Sequence, residues 1–81
     1  MVYIQVYIPE KNNIYDFKIS ASINVCMLKK LIIESIYDIS YDEEFIRKNY
    51  LFISLNDYKK LDNCLTISDY SVYDGEKFIL V

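Results

Sequence analysis

The sequence predicts an α+β fold in which strands precede and follow a single helix. Residues 2–8 place aliphatic side chains at every second position, which is typical of a strand with one buried face. Residues 25–38 place them three and four positions apart, as in an amphipathic helix. Near the end, the turn-forming pair Asp74 and Gly75 precedes a last apolar run. Because 81 residues have room for one core, we expect a single domain over residues 1–81.

The first two strands are expected to form a hairpin. Residues 2–8 make the first strand, and Pro9 ends it because proline cannot donate to a strand ladder. The polar residues 10–13 supply the turn, and the second strand covers about residues 14–20. The expected inward side chains are Val2, Ile4, Val6, Ile8, Tyr15, Phe17 and Ile19, and the outward ones of the second strand are Ile14, Asp16 and Lys18.

A helix is expected over residues 25–38. Asn24 is a suitable N-cap, because its side-chain oxygen can accept from the unpaired N–H groups of the first turn. The buried stripe is predicted to consist of Val25, Leu28, Ile32, Ser35, Ile36 and Ile39, with Leu31 on its flank. The opposite, solvated face is predicted to contain Lys29, Lys30 and Glu34.

The second half of the chain predicts shorter elements. Residues 50–55 are dense in β-forming side chains and indicate a third strand, and residues 59–62 indicate a short return strand. Residues 65–72 keep no single period, which favours a loop, with the apolar anchors Leu65, Ile67, Tyr70 and Val72. Residues 77–81 form the last strand. The expected inward side chains of the last two strands are Leu61, Phe78 and Leu80.

The composition argues against several classes of function. The chain has no His, the commonest general base and metal ligand, so a Ser-His-Asp or Cys-His site cannot form. One Gly does not allow a glycine-rich phosphate loop. A net charge of −3 without a basic stripe argues against a nucleic-acid partner. The longest apolar-leaning run, residues 25–39, is interrupted by charges, so we expect no direct membrane insertion.

Cys26 and Cys64 are the two cysteines of the chain. They could form a bridge, but a secreted domain of this size usually has more cysteines, and the first residues show no signal segment. We therefore expect free thiols in the cytoplasm, and the sequence leaves their redox state open.

Two stretches resemble known ubiquitin-like sequences. Residues 66–72 read T-I-S-D-Y-S-V and resemble the T-L-S-D-Y-x-I segment of ubiquitin. Residues 67–81 read I-S-D-Y-S-V-Y-D-G-E-K-F-I-L-V, and with D-I-S at residues 38–40 they are similar to the YukD/EsaB family, whose ending is L-x-D-x-x-I-x-D-G-D-x-L-x-L. That family consists of small ubiquitin-like accessory proteins of the bacterial type VII secretion system. The order of elements matches over essentially the whole chain.

This resemblance implies a ubiquitin-like β-grasp in the order ββαβ(β)β, with a mixed sheet of four to five strands packed on one helix. It implies a non-catalytic protein-interaction module that is an accessory or regulatory component of the secretion system in the cytoplasm. Membrane or ATPase subunits of that machinery are then the expected protein partners. The resemblance implies no enzyme activity, and the composition argues against a cofactor or a metal site.

The last residues depart from ubiquitin. They read I-L-V, whereas ubiquitin-like modifiers end in Gly-Gly so that an activating enzyme reaches an unobstructed carboxylate. We therefore expect no conjugation. Two other functions stay open: a ubiquitin-like modifier or carrier activated through an atypical terminus, and a stand-alone β-grasp regulator of another protein.

In a β-grasp sheet the first strand pairs with the last, which pairs with the third. The resemblance therefore implies one outward surface opposite the helix, formed by Tyr3, Gln5, Tyr7, Tyr50, Phe52, Ser54, Ile79 and Val81. A contiguous apolar patch on a small domain usually marks a contact site, and aromatic side chains are frequent binding hot spots. Loops covering this surface, or a merely Tyr-rich composition, would also explain these residues. A homodimer through the same surface stays open as well.

Overall fold

The computed structural model describes residues 1–37 and 50–81. Its elements, in chain order, are β1 (Val2–Ile8), β2 (Asn13–Ile19), α1 (Val25–Tyr37), β3 (Phe52–Ser54), a 3-10 helix (Ile67–Tyr70) and β4 (Glu76–Leu80). The predicted positions Asp38 and Ile39 lie outside the described residues. Within the described part of the chain, no helix is long and apolar enough to cross a membrane.

The sheet has four strands in the order β2-β1-β4-β3. β1 pairs with β2 and β3 pairs with β4 in antiparallel fashion, whereas β1 and β4 are parallel. The predicted α+β fold and the pairing of the first strand with the last are confirmed. The predicted return strand at residues 59–62 is reduced to a single bridge between Ile53 and Lys60. Leu61, beside this bridge, is inward as predicted, with 3% of its surface exposed.

One cluster of buried side chains forms the core. It combines the inward side chains of the sheet with one face of α1 and with Leu61 and Ile67. In β1, Ile4, Val6 and Ile8 are buried, as their spacing predicts. β2 contributes Ile19 and, at the edge of the cluster, the partly buried Tyr15 and Phe17. The predicted phases of β1 and β2 are therefore confirmed.

The helix begins where the sequence predicts and buries most of the described positions of the predicted stripe, with differences at the edges of that stripe. The Asn24 side chain caps it, since its Oδ1 accepts a hydrogen bond from the Met27 N–H at 2.8 Å. Ser35, predicted to be inward, is exposed, and Lys29, predicted to be solvated, is buried with 8% exposure. Lys29 fits this side of the helix because its aliphatic stem packs inward while its Nζ donates to the Tyr50 carbonyl oxygen at 2.7 Å.

The third strand buries the alternating set of side chains that was expected to point outward, so its phase is opposite to the predicted one. Tyr50, Phe52 and Ser54 were expected on the outward surface, yet all three are buried, with exposures of 7%, 0% and 6%. The Phe52 ring stacks on Phe78 with centroids 4.7 Å apart, so the aromatic side chain fills the core. Ser54 tolerates burial because its hydroxyl donates to the Glu76 carboxylate at 3.4 Å.

The segment after Leu61 is more regular than predicted. Ile67–Tyr70 form a 3-10 helix, and the Asp69 carboxylate accepts from the Thr66 backbone N–H at 2.8 Å at its start. Ile67 is a buried anchor as expected, whereas Leu65 is 40% exposed. The predicted turn is confirmed, since Gly75 has a φ of 86°, which a glycine adopts without strain.

We expect Phe52→Ala to lower the free energy of unfolding by about 3–5 kcal/mol, because its ring is fully buried. Ile53→Ala should lower it by only about 1 kcal/mol, since that side chain is half-buried on the other face of the sheet. Urea unfolding followed by circular dichroism measures both values. A larger loss for Ile53→Ala than for Phe52→Ala would contradict this phase of β3.

Candidate protein-binding face of the sheet

The outer face of the sheet contains a row of four apolar side chains that crosses every strand. Tyr7 in β1 is the register partner of Ile14 in β2 and of Ile79 in β4. Ile79 in turn pairs with Ile53 in β3. Direct register partners on one face lie within contact distance, so these side chains are contiguous across the sheet.

Two further apolar residues extend this row beyond the end of β3 and β4. Leu51 N donates to the Val81 carbonyl oxygen at 2.7 Å, and Val81 N donates to the Leu51 carbonyl oxygen at 3.0 Å. Since Leu51 and Val81 lie two positions from Ile53 and Ile79, they share the outer face. We call the resulting surface the apolar face; it consists of Ile14, Tyr7, Ile79, Ile53, Leu51 and Val81. Ile14 is 58% exposed and Val81 47%, so its two ends are open to solvent.

The opposite half of the outer face is polar. Gln5 is flanked by its register partners Asp16 and Lys77, which makes a polar row beside the apolar one. Beyond it, the Lys18 ammonium lies 5.4 Å from the centroid of the Tyr3 ring, a favourable cation–π distance. Tyr3 is therefore exposed but separated from the apolar face by the polar row.

A shallow depression lies where the apolar and polar halves meet. It has a volume of about 30 Å³ and is lined by Gln5, Tyr7, Ile14, Leu55, Lys77 and Phe78. Its walls are mostly apolar side chains, with one amide and one ammonium at the rim. It has room for a group of about one or two water molecules in size, and its lining favours an apolar group such as a methyl over a charged one.

The structure places the predicted site residues in two groups. Tyr3, Gln5, Tyr7, Ile79 and Val81 lie on the outer face, where their role in binding remains a prediction. The other three, Tyr50, Phe52 and Ser54, belong to the core, so the predicted surface is wrong for them.

The sequence reasoning missed three residues of the apolar face: Ile14, Leu51 and Ile53. Ile14 was expected to point outward but was not included in the surface. In the third strand, both alternating sets of side chains contain large apolar residues, so periodicity alone does not determine the phase. Ser54 favoured the wrong phase, because a serine is expected at the surface unless a buried partner is known.

Behind this face, Glu76 is a buried carboxyl with 7% exposure. Burial raises the pKa of Glu76, and the charge of Asp57 raises it further, while hydrogen bonds from the Tyr73 backbone and from Ser54 act in the opposite direction. Lys29 is the other buried charged side chain, and burial lowers its pKa. Glu76 alternates with the outer-face residues of β4 and Lys29 lies on α1, so neither belongs to the apolar face.

The outer face combines an apolar half with a polar half. It presents aliphatic side chains, phenol rings, an amide and three charged groups that lie in the polar half. In residues 1–37 and 50–81, no group of three or more His, Cys, Asp or Glu side chains is arranged to hold a metal ion. The arrangement is suited to shape-complementary binding of another protein.

This fold is shared with ubiquitin-like domains of known structure. No protein-family model matches the sequence, and no curated protein matches it. The UBL domain of Plasmodium falciparum Dsk2 is similar, with a TM-score of 0.74 and 22% identity; the match covers 99% of this chain and 95% of that chain. ATBAG1, solved in complex with HSP70, has a TM-score of 0.73 and 16% identity, covering 100% of this chain and 40% of that chain. The chain therefore has the ubiquitin-like β-grasp fold that its sequence predicts.

The buried carboxyl of Glu76 predicts a pH-dependent stability. In the folded protein Glu76 keeps its proton to higher pH than in the unfolded chain, where its pKa is near 4.5. The folded state then binds more protons in this interval, so the Glu76 contribution to the free energy of unfolding falls as pH rises through it. We expect Glu76→Gln to be more stable than the wild type at pH 7 and nearly equal to it at pH 4.

Urea unfolding of both proteins at the two pH values tests this expectation. Asp16→Asn is the matched control, because it makes the same change of charge at an exposed position of the same sheet. A Glu76→Gln variant that is less stable than the wild type at pH 7 would show that the charged carboxylate stabilises the fold.

Proposed function

We propose that this chain is a non-catalytic, ubiquitin-like protein-interaction module, folded as a single domain, whose protein partner binds the apolar face. The observation that supports this most directly is the row of Ile14, Tyr7, Ile79 and Ile53, which are register partners across all four strands. Ile14 is exposed and the other three are half-buried, and a contiguous apolar surface of this kind usually marks a contact site on a small protein.

The backbone beneath the apolar face favours binding without rearrangement. Every residue of the row lies on a strand, and the two extending residues, Leu51 and Val81, are held by reciprocal backbone hydrogen bonds. A partner therefore meets a preformed surface, and little conformational entropy is lost when it binds. Tyr7 provides an aromatic contact near the centre of the row, which is the kind of residue that dominates binding energy in protein interfaces.

The partner that the sequence resemblance favours is a component of a bacterial type VII secretion system. In this proposal the chain is a cytoplasmic accessory or regulatory protein that binds a membrane or ATPase subunit of that machinery. The support is the similarity of residues 67–81 to the YukD/EsaB ending. Genes for a secretion ATPase and for small helical secreted proteins beside the gene of this chain would strengthen this assignment, and other neighbours would favour a regulator of a different protein.

We expect Ile53→Asp and Ile79→Asp to weaken binding to the purified cytoplasmic domain of the secretion ATPase by more than about tenfold, since each puts a charge into the middle of the apolar face. Isothermal titration calorimetry measures the affinity. Leu31→Asp is the matched control: Leu31 is 48% exposed but lies on α1, so this variant should bind like the wild type. Circular dichroism and thermal melts verify that all three variants are folded.

The affinity and sedimentation results determine whether the apolar face is the interface and what occupies it. Unchanged affinity of folded Ile53→Asp and Ile79→Asp would remove the apolar face from the interface. An equal loss in Leu31→Asp would place the contact elsewhere. A wild-type dimer in sedimentation that both sheet variants convert to monomer would identify a second copy of this chain as the occupant.

A further inference from the structure

The two cysteines lie in segments that run side by side, away from the apolar face. Cys26 is in the first turn of α1, and Cys64 precedes the 3-10 helix by three residues. Both are free and exposed. Neither takes part in the proposed protein contact, so any chemistry that they share is independent of it.

Backbone hydrogen bonds fix the register of these two segments. Asn24 and Thr66 form an antiparallel bridge. On one side of it Ile67 N donates to the Ile23 carbonyl oxygen at 3.0 Å, and on the other side Val25 N donates to the Leu65 carbonyl oxygen at 2.9 Å. Cys26 and Cys64 each lie two residues from this bridge, on the same side of it.

The two segments remain in contact at the cysteines although the helix has already begun. Cys26 N donates to the carbonyl oxygen of Asn63 at 3.4 Å. Because the peptide unit between Asn63 and Cys64 is planar, standard covalent geometry then keeps the Cα atoms of Cys26 and Cys64 within about 8 Å. A disulfide spans a Cα separation of roughly 4.4–6.8 Å, which lies within this limit.

The turn that presents Cys64 is held by its own hydrogen bonds. Cys64 N donates to the Asp62 carboxylate at 2.8 Å. Asp62 N in turn donates to the hydroxyl oxygen of Tyr70 at 2.6 Å, and Tyr70 packs against the core. Cys64 also lines an open cleft with Lys60, Leu61, Asp62 and Asn63, through which a small thiol reagent can approach. The thiol is therefore both positioned and accessible.

We propose that Cys26 and Cys64 are a modification site, at which a low-molecular-weight disulfide such as glutathione disulfide forms a reversible intramolecular bridge. The thiolate of one cysteine attacks a sulfur of glutathione disulfide, and one glutathione thiolate leaves as a mixed disulfide forms. The thiolate of the other cysteine then attacks the cysteine sulfur of that mixed disulfide and expels the second glutathione. The protein loses two electrons and two protons, which the two released glutathione molecules carry.

The bridge would join the start of α1 to the segment that leads into the 3-10 helix. It closes a long loop of the chain that contains α1 and β3, so it restricts the unfolded state more than the folded one. In a reducing compartment such a bridge forms only while the disulfide pool is raised. It would then stabilise the domain without changing the apolar face.

The test treats the reduced wild-type protein with glutathione disulfide and measures intact mass, free thiols and thermal unfolding. We expect a monomer lighter by about 2 Da with no reactive thiol, and a melting temperature raised by roughly 10 °C or more, both reversed by dithiothreitol. Cys26→Ser and Cys64→Ser are the matched controls. Each should stop at one glutathione adduct and show no comparable rise in melting temperature.

Three results would overturn the proposal. A wild-type protein that stops at two glutathione adducts would show that the thiols cannot reach each other. Covalent dimers as the main product would show that the cysteines bridge between molecules. An intramolecular bridge that lowers the melting temperature would show that the folded structure must distort to form it. All three readouts use the isolated chain, so they do not depend on whether a partner binds the apolar face.

Discussion

The parallel pairing of β1 with β4 is the contact on which the rest of the fold depends. In the order β2-β1-β4-β3 these two strands form the centre of the sheet. Their pairing begins with Ile4 beside Glu76. Asp74 and Gly75 fix its start, because the Asp74 carboxylate accepts from Tyr3 N at 3.0 Å and Gly75 N donates to the Tyr3 carbonyl oxygen at 2.8 Å. β2 and β3 then attach to the two outer edges, and the core assembles on one side.

The same pairing determines what each side of the sheet presents. On the outer side it makes Tyr7 a neighbour of Ile79, and thereby joins the hairpin residue Ile14 to Ile53 of β3 in one surface. The hairpin residues and the residues of β3 and β4 are far apart in sequence. The apolar face therefore results from the topology of the sheet and does not correspond to a local sequence motif. On the inner side the polar groups that are buried have partners, which allows them to remain in an otherwise apolar interior.

Much of this arrangement could be predicted from the sequence, and the failures have identifiable causes. β1 and β2, the Asn24 cap and the Gly75 turn follow from local rules, and the strand order follows from the resemblance. The phase of β3 could not be predicted, because burial of Ser54 depends on a hydrogen bond to a residue on another strand. Burial of Lys29 likewise depends on the Tyr50 carbonyl oxygen. Three of the predicted surface residues were therefore assigned to the wrong side.

The hydrogen bond between Tyr3 and Asp74 spans 71 positions of the chain, which has a consequence for synthesis. The β1–β2 hairpin leaves the ribosome early, but β1 cannot receive its second neighbour until Glu76–Leu80 has emerged. During that interval the bare edge of β1 is a template onto which strands of other nascent chains can add. A domain dominated by such distant pairings also folds more slowly than a helical bundle of the same size. Degradation of the incomplete chain, or its protection by chaperones, therefore matters more for this protein than for one built from local contacts.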